Sequence, residues 1–105
     1  MDYLLGKGLK LIAKNYLARC GEIDLIMQDG ATLVFFEIRY RADNQYMNAL
    51  ETIDSKKRTH IIHATQHYLQ THRDESEKIC RFDVMIIFGH ADNPGIRWIK
   101  NAFQA

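Results

Sequence analysis

Residues 21–41, GEIDLIMQDGATLVFFEIRYR, constrain this 105-residue chain more than any other stretch. Two runs rich in β-branched and aromatic residues flank Asp29 and Gly30. Asp-Gly between such runs is a strong hairpin signal, because Gly accepts positive φ and Asp tolerates the adjacent turn position. Alternation from Glu22 to Met27 predicts Glu22, Asp24 and Ile26 on one face, with Ile23, Leu25 and Met27 on the other. In the second run, from about Thr32 to Arg41, Val34, Phe36 and Ile38 face away from Leu33, Phe35, Glu37 and Arg39. A short loop that pairs Gln28 with Ala31 sets Asp24 opposite Phe35 and diagonal to Glu37, and Glu22 opposite Glu37.

Two carboxylates and a guanidinium then share one patch. Ionised carboxylates that close repel each other unless a cation, a proton or the arginine neutralises them. Mg²⁺ suits such a place, since it takes carboxylate and water oxygens and leaves room for substrate phosphate. The same spacing also describes a solvated hairpin face carrying one weak Glu–Arg pair.

GEIDLI, the turn, VFFEIRYR and the later RFDVMIIF resemble the bacterial YraN family of endonuclease-like proteins. That family sits in the PD-(D/E)xK, restriction endonuclease-like superfamily, whose fold also includes archaeal Holliday-junction resolvases. The resemblance runs from about Leu5 to Phe103. It implies an α/β domain with a three-layer core, in which helices flank a central mixed sheet containing an antiparallel hairpin. It also implies Asp24, Glu37 and the Ile38 carbonyl as ligands of Mg²⁺ or Mn²⁺, with Arg39 at the superfamily's lysine position. Glu22 would assist through a water or as an alternative ligand. Arginine at 39 is a departure: it stabilises charge on a transferring phosphate, but it is no base near neutral pH. A second departure lies in the first helix, which is longer and carries an acidic residue in related chains; here MDYLLGKG stands in that region without a Glu, and Asp2 lies too near its end to match.

The implied activity is phosphodiester hydrolysis in DNA, including branched or structured DNA. Two alternatives stay open: a catalytically inactive nucleic-acid-binding module of the same fold, and a protein-interaction domain whose acidic patch meets a basic partner. Nucleases of the restriction and resolvase types often work as dimers, so a homodimer belongs to the implied arrangement.

Length and 47% hydrophobic content suit one domain spanning residues 1–105 with a single core. A net charge of +1 excludes the broadly basic surface of a strong nonspecific DNA binder, so any nucleic-acid surface must be local. Cys20 and Cys80 lie far apart without CxxC spacing, which points to neither zinc nor a disulfide framework and fits a reduced, cytoplasmic setting. No apolar run approaches the roughly 18 residues of a membrane span, and no secretory signal is expected.

The remaining segments surround the hairpin. Asp2 to Lys7 reads as a helix end capped by Gly6 or Gly8. Leu9 to Tyr16 reads as a strand in which neither face is clean, so a helix stays open there. Lys7, Lys10, Lys14 and Arg19 form a loose basic group, either solvated or touching phosphate. Ala42 to Asn48 reads as a polar loop, and Arg41, Gln45 and Tyr46 are candidates for nucleic-acid contact. A helix over about Asp54 to Thr71, capped by Asp54 or Ser55, places Ile61, Ala64, Thr65, Tyr68 and Leu69 on one face.

Lys56, Lys57 and Arg58 fall in that helix's first turn, where the dipole disfavours cations and an anionic partner is invited. Lys57, which projects toward the apolar side and matches a family lysine position, is the best phosphate or carboxylate partner, with Lys56 beside it. His60, His63 and His67 share the opposite side and read as an exposed polar face rather than a zinc site. Cys80 to Phe88 reads as a buried strand in which Arg81 and Asp83 form a structural pair. A loop at Gly89 to Gly95 and a strand at Ile96 to Lys100 follow. Trp98 suits packing, with base stacking as the alternative. The element order is αβββαββ.

Overall fold

The computed structural model describes residues 2–19, 21–41, 53–75, 78–90 and 93–104. In chain order these form α1 (Asp2–Gly6), β1 (Lys10–Ala18), β2 (Gly21–Asp29), β3 (Thr32–Arg41), α2 (Ser55–Thr71), a 3₁₀ turn at Arg73–Glu75, β4 (Ile79–His90) and β5 (Asn93–Phe103). The strands make a five-stranded sheet in the order β1-β2-β3-β4-β5. Only β3 and β4 run parallel, and α2 provides the crossover that a parallel pair requires. Helix order and mixed sheet therefore match the order anticipated from sequence.

Each face of the sheet has its own core. On the α2 side, Ile23, Ile26, Leu33, Phe35, Phe82, Val84 and Ile86 pack against Ile61, Ala64 and Tyr68. On the other side, Leu25, Met27, Val34, Phe36 and Met85 pack against Leu4 of α1 and Leu9. The predicted apolar arc of α2 is the one that is buried, and Asp54 caps the helix by accepting from Lys57 N at 2.9 Å. The β3 alternation also holds, with Val34 and Phe36 on one face and Leu33 and Phe35 on the other.

The hairpin register differs from the expected one. The two-residue loop is Gly30-Ala31 rather than Asp29-Gly30, so Asp29 pairs with Thr32 and Leu25 with Phe36. Gly30 has φ +61 at the first loop position, where a II′-type turn needs a residue without Cβ. Continuing this register by one residue sets Asp24 beside Glu37, not opposite Phe35, and moves Glu22 out of line with Glu37.

The predicted faces of β2 are also corrected. Ile23 and Ile26, three residues apart, share the α2 side, while Leu25 and Met27 face the other way. On β1, Ala13 and Tyr16 likewise both face α2. Both strands thus change phase between these pairs, at Asn15 (φ 50) and the Asp24 across from it. A second irregularity, between Leu11 and Ala13, completes the explanation of why β1 shows no clean alternation.

The expected 89–95 loop is mostly strand, since Phe88 pairs with Gly95 and Gly89 with Pro94. Proline is tolerated there because β5 is an edge strand. Gln45 and Tyr46, with the rest of the 42–48 loop, and Cys20 lie outside the described residues. No helix among the described residues is long and apolar enough to cross a membrane.

Candidate functional site

The phase change at Asp24 opens a fork. The β2–β3 ladder ends at Leu25 and Phe36, whereas β3 stays paired to β4 as far as Arg41 and Phe88. Beyond the last rung, Asp24 Oδ2 accepts a hydrogen bond from Ile38 N at 2.8 Å. A side-chain carboxylate thus satisfies a backbone donor that the adjacent strand no longer reaches. This contact fixes Asp24 against the Glu37-Ile38 segment.

Glu37 points toward α2 and is only 4% exposed. Its Oε1 lies 3.5 Å from both Arg39 Nε and Lys57 Nζ. Its Oε2 is buried without a hydrogen-bond partner, and the buried Arg39 Nε also makes none. Burial pushes the Glu37 carboxyl above its ordinary pKa and Asp24 adds to the rise, while Lys57 and Arg39 oppose it. The pairing of Lys57 with Glu37 follows from the Asp54 cap, which fixes where the first turn of α2 begins.

These residues fit a divalent cation. Two carboxylates at one fork repel, one has an oxygen buried without a partner, and the Ile38 carbonyl belongs to the same segment. Among the described residues no group of three or more His, Cys, Asp or Glu side chains converges. A cation held by Asp24, Glu37 and a carbonyl would therefore complete its shell with water or phosphate oxygens, the arrangement that Mg²⁺ favours.

The other expected residues are less central. Glu22 is exposed on β2, paired with Leu17 of β1. Arg41 donates from Nη1 to the Tyr40 carbonyl at 2.7 Å, and Lys56 is exposed in the first turn of α2. His67 Nδ1 lies 2.6 Å from Tyr16 Oη, and the histidine face of α2 gathers no metal group among the described residues. Asp83 is structural, as expected. Fully buried, it accepts from Arg81, from Trp98 Nε1 at 2.8 Å and from Asn101 N at 2.8 Å. Trp98 packs near Phe36 with Lys100 over its ring, so its role here is packing.

Sequence reasoning did not single out Asn15 or Tyr40, which line a cavity beside Asp24. The alternation that places Tyr40 with Ile38 was the available signal; for Asn15 it was only the tolerance of asparagine for the left-handed region.

The fold and site define a mixed α/β domain with two carboxylates at a strand fork. The chain belongs to the uncharacterised protein family UPF0102, the YraN family, whose model matches residues 1–87. It is similar to a UPF0102 protein of Pseudomonas fluorescens strain Pf0-1, 43% identical over 105 residues, covering 100% of this chain and 86% of the relative. A UPF0102 protein of Methylococcus capsulatus is 43% identical over 104 residues, covering 99% and 83%. One from Psychromonas ingrahamii is 45% identical over 104 residues, covering 99% and 82%.

Proposed function

We propose that this chain is a metal-dependent endonuclease that hydrolyses phosphodiesters in DNA. The observation that carries this reading is the fork itself, where Asp24 is tied to Ile38 N beside the buried, partly unpartnered Glu37. Asp24, Glu37 and the Ile38 carbonyl would hold Mg²⁺ or Mn²⁺. A bound divalent ion lowers the pKa of a coordinated water and neutralises phosphate charge. Arg39 leans on Glu37 and offers its remaining guanidinium donors to the phosphate as charge develops. Lys57, 37% exposed at its side chain, neutralises Glu37 and presents positive charge to the approaching backbone. Lys56 and Arg41 supply further phosphate contacts, and Glu22 assists through a water.

The test is cleavage of linear and branched DNA in Mg²⁺ and Mn²⁺ by the wild type, Asp24→Asn and Glu37→Gln. Each substitution is expected to lower cleavage by about a hundredfold or more, the scale on which loss of one transition-state-stabilising group is felt. Undiminished cleavage by Asp24→Asn would remove the assignment.

Arg39 favours a second reading, a noncatalytic DNA-binding module, because arginine does not serve as a base near neutral pH. Metal-independent DNA binding without cleavage of any substrate would select it.

A further inference from the structure

Beside the fork, on the side of the sheet away from α2, a cavity of about 350 Å³ is lined by Lys14, Asn15, Asp24, Leu25, Ile38 and Tyr40. Its size lies within the roughly 300–1,000 Å³ of small-ligand pockets. The cavity has a structural cause. β2 and β3 separate after Leu25 and Phe36, and the left-handed Asn15 turns β1 at the same level.

The lining is of mixed character. Leu25 and Ile38 contribute apolar surface next to the Asp24 carboxylate, and Tyr40 stands 68% exposed at the rim. The Tyr40 ring makes no aromatic or cation–π contact among the described residues. Lys14, exposed on the β1 wall, makes no ion pair or side-chain hydrogen bond among the described residues. An uncommitted aromatic face and an uncommitted cation flanking a recess of mixed polar and apolar character are elements that proteins combine to hold single-stranded nucleic acid.

We infer that this cavity receives one unpaired nucleotide of the DNA, its base against Tyr40 and its phosphate held by Lys14. The site therefore prefers gapped, flapped or single-stranded DNA to fully paired duplex. The inference rests on the nuclease reading only in placing the DNA backbone over Asp24. The preference arises because a paired base must leave its stack to enter, a cost that an unpaired base largely avoids.

The test uses the full chain in EDTA with oligonucleotides carrying 2-aminopurine, either unpaired in a gap or fully paired. The gapped DNA is expected to bind about tenfold or more tighter, with its fluorescence quenched on binding. Tyr40→Ala should abolish both the preference and the quenching, Tyr40→Phe should keep them, and Lys14→Ala should reduce the salt slope for the gapped DNA by about one. Equal affinity for the two DNAs overturns the inference, as does a preference that survives in folded Tyr40→Ala. A Tyr40-dependent preference in a protein that cleaves nothing with Mg²⁺ upholds the pocket and removes the nuclease reading. Cleavage of paired DNA by the wild type, with equal affinity for paired and gapped forms, does the reverse.

Discussion

Burial and the nearby Asp24 raise the pKa of Glu37, and Lys57 and Arg39 do not cancel that rise. A proton on Glu37 therefore stabilises the fold. This contribution is fully present below the ordinary value of 4.5 and is lost as pH rises through the higher folded-state value. In metal-free protein, Glu37→Gln should raise the urea midpoint at neutral pH and lose that advantage below pH 4.5, a comparison that two denaturation series make directly. A cation competes with the same proton, so Mn²⁺ affinity measured by calorimetry should increase with pH across this window and release protons. Asp83 presents the contrasting case of a buried carboxylate whose oxygens are fully occupied by Arg81, Trp98 and Asn101. Asp83→Ala leaves Trp98 Nε1 and Asn101 N without their acceptor and Arg81 with Asp29, at 3.3 Å, as its remaining carboxylate, and should cost about 3 kcal/mol in chemical denaturation.

Two elements meet backbone to backbone where β2 begins under α2. A Cβ added at Gly21 would lie 2.5 Å from the His60 carbonyl oxygen, and neither backbone has a flexible end to move aside. Gly21→Ala should therefore cost about 1–3 kcal/mol by overpacking, visible as a lower urea midpoint. Losing the cap by Asp54→Ala should cost about 1 kcal/mol and also slacken the first turn that carries Lys57. These elements differ in how much of their geometry the sequence carries. The 100° spacing of Ile61, Ala64 and Tyr68 and the Asp54 cap make α2 legible, as does the alternation of Val34 to Phe36 in β3. The turn signal brought Asp24 only diagonal to Glu37, because it placed the loop one position early, and the motif resemblance alone named the two as a ligand pair. The phase change at Asn15 and Asp24 was hidden, since asparagine tolerates the left-handed region better than most residues but only the tertiary ladder makes this one adopt it inside a strand. That hidden step is also the one that opens the fork.

At the scale of the whole molecule, charge limits how the DNA of the proposed function would be held. Fourteen Lys and Arg stand against thirteen Asp and Glu, so the long-range field is weak and binding must come from a few local contacts. The candidate phosphate contacts are Lys14 on β1, Arg41 at the end of β3, and Lys56 and Lys57 on the first turn of α2. A footprint of about four contacts predicts a slope of log affinity against log salt of roughly −3 to −4. Lys56→Ala should make this slope shallower by about one unit while leaving any preference among DNA structures unchanged, because a phosphate contact carries no sequence or shape information. Fluorescence titrations from low to moderate salt measure both quantities. A wild-type slope near twice the expected value would mean that two copies of the chain share one DNA. Sedimentation of the complex would then show two protomers per DNA, making the homodimer the binding unit. A slope near −3 with one protomer per DNA would instead make a single fork the complete binding unit.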